Sequence, residues 1–250
     1  MSGQLPRQSM SLPAFQAVVM DMDGLAVDTE AAYCSAWRAG AAEFGCELSE
    51  EFCRGLFGRH ADDVRDALIA ACGERFDHAG FAEVAARHWY QHIRTHGVAP
   101  MPGLDELLES LDARRIPYAL ATNSDARYAL EVLDAAGLRE RFPVIVTRDQ
   151  VRRGKPCPDL FVEGARRLGI GAAACLGVED SETGLAACIA AGMTPVLVPN
   201  RAVREWSALP AQVFVLPDLA ALAGCVRAAA DLSTTGRPTI GLMEGGEDKP

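Results

Sequence analysis

Apolar residues follow two rhythms along this chain. Short unbroken runs, of the kind that fill a strand buried on both faces, stand at Ala17–Met20, Pro117–Thr122, Val144–Thr147, Ala174–Val178, Pro195–Val198 and Val213–Leu216. Between them lie stretches that read as helices: Glu30–Phe44 behind an Asp28-Thr29 cap, Ala126–Ala136 ended by Gly137, Pro158–Leu168 by Gly169, Glu182–Ala191 by Gly192, and Asp218–Ala229. Strand signals are missing from 32 to 97, where Ala61–Ala71 and Phe81–His96 carry apolar residues at three- and four-residue spacing. Gly97–Gly103, rich in glycine and proline, marks the end of that region. Buried runs alternating with helices predict an α/β fold, a parallel sheet covered on both faces, interrupted by an inserted all-helical unit. The expected boundaries are 15–31 and 98–230 for a discontinuous core and 32–97 for the insertion, with 1–14 and 231–250 as loose termini.

Composition narrows the classes of function. Of 250 residues, 49% are hydrophobic and 23% charged, an ordinary globular balance. The net charge of −10 argues against a nucleic-acid partner. No apolar run is long enough to span a bilayer, and the first residues lack the apolar core of a secretory signal. A cytoplasmic protein with no membrane partner is expected, with a monomer as the default state. The eight cysteines form no C-x-x-C pair and are expected to be free, small hydrophobes rather than a disulfide frame or a zinc site.

The chemistry lies where strands end, since open parallel sheets bind ligands beyond their carboxyl edges. The first strand runs straight into Asp21-Met22-Asp23-Gly24, two carboxylates on one face of an extended chain. Like charges so placed repel and lose hydration, and a bound cation makes the pair tolerable. The other strands deliver Thr122-Asn123-Ser124 and Glu179-Asp180-Ser181, each before a helix, while Lys155 sits in Gly154-Lys155-Pro156. Taken singly these are helix caps and a turn; together they surround one point with carboxylates, a hydroxyl, amides and an ammonium. Such a set suits phosphoryl transfer, with Mg²⁺ the hard cation that favours oxygen ligands.

The stretches DMDGLAVDTE (21–30), ATNS (121–124), GKPCPDLF (154–161) and GVEDSETG (177–184) resemble, in order, the motifs of the haloacid dehalogenase superfamily, in its phosphatase and β-phosphoglucomutase-like branch. The resemblance covers roughly 15–230. It implies a Rossmann-like core with a helical cap, and a Mg²⁺-dependent phosphatase acting on a small phosphorylated metabolite such as a sugar phosphate or phosphoglycolate. Asp21 would be the nucleophile that becomes an aspartyl phosphate, and Asp23 the acid for the leaving group and then the base for water. Thr122, Lys155 and the amide of Asn123 would hold the phosphoryl group. Asp21, Asp180 assisted by Glu179, and the backbone carbonyl of Asp23 would hold Mg²⁺. Arg59, between cap helices, is the candidate substrate contact. An acidic residue at position 23 argues for phosphate esters over dehalogenation. The alternative is a phosphosugar mutase, but Tyr33 stands where that branch carries a histidine, which favours hydrolysis. A signalling receiver domain shares the Asp, Thr and Lys set yet has no room for the insertion and lacks an Asp two residues beyond the acceptor.

Overall fold

The computed structural model describes residues 12–57, 61–74, 76–200 and 209–229. Arg59 and His60, residues 1–11, and the tail beyond 229 lie outside them. The sheet has six parallel strands among the described residues: β1 (Ala17–Met20), β2 (Tyr118–Ala121), β3 (Ile145–Val146), β4 (Cys175–Glu179), β5 (Thr194–Leu197) and β6 (Phe214–Val215). Their order is β3-β2-β1-β4-β5-β6. β1 therefore lies inside the sheet, pairing with β2 on one side and β4 on the other, and every residue of β1, β2 and β4 is buried. Unbroken apolar runs become strands here because helices cover both faces.

The helices are α1 (Thr29–Glu43), α2 (Glu50–Arg54), α3 (Ala61–Cys72), α4 (His78–His96), α5 (Leu104–Ala113), α6 (Ala126–Ala135), α7 (Asp159–Leu168), α8 (Glu182–Ala190) and α9 (Leu219–Ala228). One face of the sheet is filled by residues including Leu107, Leu111, Val132 and Leu222, the other by residues including Phe161, Ala165 and Cys188. The α5 helix is the element that reading short apolar runs passes over, although Leu104, Leu107, Leu108 and Leu111 carry its buried stripe.

Helices α1 to α4 form the helical cap, which has a hydrophobic cluster of its own containing Cys53, Leu56, Leu68, Phe81 and Ala85. The two chain segments joining it to the core run side by side. Asp28 N–H donates to Ala99 O at 2.8 Å, Met101 N–H donates to Ala26 O at 2.9 Å, and Val27 and Pro100 form an antiparallel bridge. The Asp28 side chain caps α1 by accepting from Ala31 N–H.

One expectation fails in the cap. Cys46, just past α1, and Cys72, on the last turn of α3, form a disulfide with Cα atoms 5.3 Å apart. The 26-residue separation leaves no local motif, and only the packing of α3 brings the two thiols together. Cysteine usage therefore no longer argues for a reducing compartment. The remaining six cysteines are free, as expected. A cross-link of this span contributes about 2–4 kcal/mol. Excess dithiothreitol should lower the melting temperature by several degrees by circular dichroism, whereas Cys46→Ser should melt lower and ignore the reductant.

Candidate active site

The strand order brings the expected residues to one rim. Asp21 follows β1, Thr122 follows β2, and Glu179 is the last residue of β4. This is the place where the sheet's connections reverse direction, the crevice in which such folds bind ligands. Asp21 N–H donates to Val178 O and Thr122 N–H to Val146 O, so the ladder itself sets both residues.

After Asp23 the chain turns at once. Gly24 has φ +81°, and its N–H donates to Val27 O at 2.9 Å, while the N–H groups of Ala26 and Val27 converge on Met22 O. A Cβ at Gly24 would lie 2.5 Å from Asp180 Oδ2, so glycine is required for the turn and for the close approach of that carboxylate. Asn200 Nδ2 meets the same point at 3.2 Å, and this buried nitrogen has no hydrogen-bond partner among the described residues.

Carboxylate oxygens of Asp21, Glu179 and Asp180 lie within 4.8 Å of one another, all three residues being buried or nearly so. Lys155, with a side chain only 3% exposed, pairs through Nζ with Asp21 Oδ1 and Glu179 Oε1. Its ammonium also sits 5.1 Å from the centre of the Phe161 ring. Burial pulls the Lys155 ammonium down, but the two carboxylates outweigh it and hold the group above its usual range. Asn123 fixes the loop that carries this lysine: its Oδ1 accepts from Lys155 N–H at 2.8 Å, and its Nδ2 donates to Lys155 O. The Asn123 side chain thus faces the protein chain.

Glu179 is saturated. Beyond Lys155, its Oε2 accepts from Ser181 Oγ at 2.9 Å and from the N–H groups of Asp180 and Ser181. The Asp180 carboxyl differs: burial pushes it well above the carboxylate range, and Asp21 and Glu179 push the same way, against Lys155. Three carboxylates share one ammonium, leaving surplus negative charge out of water. A divalent, oxygen-seeking cation fits that donor set and removes the surplus.

Asp23, two residues from Asp21, sits in a different environment. Its side chain is outside the three-carboxylate cluster and is ringed by hydroxyls: Thr122 Oγ1 at 3.2 Å and Ser124 Oγ at 2.9 Å donate to Oδ2, and Tyr128 Oη at 3.1 Å donates to Oδ1. Burial raises its pKa, the Asp21 charge adds to the effect, and the three hydroxyls oppose it. Sequence reasoning missed Tyr128 and Asn200, whose neighbours are fixed only by the fold. Ser124 lay within a quoted motif but had no role assigned. Tyr33, on α1, stacks with Trp89 and Tyr128 at centroid distances of 5.6 and 6.5 Å. Glu30, also on α1, has its carboxyl pushed up to about 7, by burial first and by Asp28 second, against Arg54.

Gly184, on the first turn of α8, explains how Glu179 fits. A Cβ there would come within 1.9–2.1 Å of the Glu179 carboxyl group. Gly184→Ala should therefore drive Glu179 off Lys155, destabilising the protein by about 1–3 kcal/mol and abolishing turnover; melting curves and phosphate release check both.

Comparison with known proteins agrees with this geometry. Residues 18–198 match the family model described as "Haloacid dehalogenase-like hydrolase". The phosphorylated carbohydrates phosphatase of Thermotoga maritima is 30% identical over 194 residues, covering 78% of this chain and 89% of the relative. The fructose-1-phosphate phosphatase YqaB of Escherichia coli K12 is 32% identical over 185 residues, 73% of this chain and 95% of the relative. Among solved structures, a HAD family hydrolase from Deinococcus radiodurans R1 with bound phosphate and sodium aligns with a TM-score of 0.63 and 33% identity, covering 74% of this chain and 82% of that one. The family match spans most of the chain, from the first strand to the fifth, and takes in every carboxylate of the site: this protein belongs to the haloacid dehalogenase-like hydrolases.

Proposed function

We propose that this chain is a Mg²⁺-dependent phosphatase of small phosphorylated carbohydrates that works through an aspartyl phosphate on Asp21. One observation carries the reading: Asp21, Glu179 and Asp180 cluster within 4.8 Å of one another with only two of them paired to the Lys155 ammonium, an arrangement suited to a cation and a phosphate dianion but poor for stability alone. The named activities of the Thermotoga and Escherichia relatives support the substrate class.

Lys155 holds Asp21 through Oδ1, leaving Oδ2 to attack phosphorus. Thr122 and the Lys155 ammonium stabilise the phosphoryl oxygens as charge moves toward the leaving group. The raised pKa of Asp23 suits an acid that keeps a proton, gives it to the departing alkoxide, and as carboxylate takes one from the water that cleaves the acyl phosphate. Asp21, Asp180 and the backbone carbonyl of Asp23, with Glu179 beside them, would hold Mg²⁺, which would supply positive charge to offset that of the phosphate. The helical cap excludes water from the crevice, and Arg59 within it is the candidate contact for the rest of the substrate. Tyr33 in place of the histidine of the mutase branch favours water over a second sugar as acceptor.

A panel of phosphorylated metabolites should show phosphate release that is lost with EDTA and restored by Mg²⁺; no release from any of them sinks the proposal. Asp21→Asn is nearly isosteric and should remove turnover by at least about a thousandfold while circular dichroism stays unchanged. Asp23→Ala should cost about 10²–10⁴-fold on alkyl phosphates and far less on p-nitrophenyl phosphate, whose leaving group needs no proton. Equal losses on the two esters would remove its acid role.

A further inference from the structure

The two oxygens of Asp23 are not equivalent. Oδ2 accepts from both Thr122 and Ser124, which fills its two lone-pair directions. Oδ1 accepts one bond among the described residues, from Tyr128 Oη at 3.1 Å. Oδ1 is therefore the atom with a place left for a proton, and Tyr128 is the group that fixes where that place points. Without it the carboxyl group remains tethered through Oδ2, but rotation about its Cβ–Cγ bond is no longer held on the proton-bearing side.

Tyr128 is itself immobilised. Its ring lies against Trp89 on α4, with centroids 4.9 Å apart and planes 18° apart, and Tyr33 on α1 stacks on the same indole. The Tyr33 ring also stacks on that of Tyr128, with centroids 6.5 Å apart. A line of side chains thus runs from the first helix of the cap, through a residue of core helix α6, to Asp23. We propose that Tyr128, backed by Tyr33, is a positioning residue that aims the Oδ1 proton of Asp23 at the leaving alkoxide.

This rests on the phosphatase reading, and the test separates the two. The proton in question passes from Asp23 Oδ1 to the ester oxygen as the P–O bond breaks, so its aim matters to alkyl esters and not to p-nitrophenyl phosphate. The quantity to compare is kcat/KM, which reports events up to phosphoryl transfer onto Asp21 and leaves out the later attack of water. Tyr128→Phe keeps the ring on Trp89 and deletes one bond. It should lower kcat/KM for a sugar phosphate by about 10- to 100-fold, as expected for one hydrogen bond to a carboxylate, and change that for p-nitrophenyl phosphate by less than about twofold. Tyr33→Leu, which removes the stacked ring, should give a smaller loss of the same selectivity, and no added loss in a Tyr128→Phe background, because it acts through Tyr128. Equal losses on both esters, no loss on either, or additive effects of the two variants would overturn the proposal. So would a gain on the sugar phosphate, since Tyr128 would then be restraining Asp23 away from the substrate. Should Tyr128→Phe fail to fold, the Tyr33→Leu selectivity decides alone. Absence of Mg²⁺-dependent turnover of either ester by the unaltered protein would instead bring down the phosphatase reading, and this inference with it.

Discussion

Everything at the sheet's rim turns on the ammonium of Lys155 lying out of water between Asp21 and Glu179. A buried ion triad is a poor source of stability, because desolvation offsets most of the attraction. Under the proposed function, the triad holds Asp21 in one orientation and cancels part of the repulsion an incoming phosphate would meet. The surroundings are committed to the same end. Asn123 grips the backbone on both sides of Lys155, Ser181 and two N–H groups saturate Glu179, and Gly184 leaves the notch in which that carboxyl group lies.

The two aspartates that end β1 show how one short motif yields two chemistries. Asp21 meets a cation, whereas Asp23 meets only neutral donors in an aromatic setting of Tyr33, Trp89 and Tyr128. Burial and the Asp21 charge raise the proton affinity of Asp23, which is what its proposed role as an acid requires. Strand pairing makes the distinction reproducible: β2 brings Thr122 toward Asp23, and β4 brings Glu179 toward Asp21.

Much of this was legible in the sequence, for physical reasons. Strands buried on both faces leave unbroken apolar runs, and a parallel sheet presents its chemistry where those runs stop, so Asp21, Thr122 and Glu179 could be read off strand ends. Helix α5 escapes a search for short apolar runs, although Pro117 separates it from β2, because its leucines form a stripe at 104, 107, 108 and 111 and not an unbroken run. The Cys46–Cys72 bond and the contact of Tyr128 with Asp23 depend on how distant helices pack, and no spacing rule encodes them. The same limit applies to Asn123: the motif places it at the rim, but only the path of the Lys155 loop turns its side chain toward that backbone.

The paired connectors between core and cap have a consequence of their own. Because Ala26–Asp28 and Ala99–Met101 are stitched together by backbone bonds, the chain enters and leaves the cap at one place, and α1 and α4 pack back onto the core beside it. Rebuilding of α2 and α3 would leave strand register untouched, whereas α1 and α4 carry the Tyr33 and Trp89 rings that back Tyr128 against Asp23.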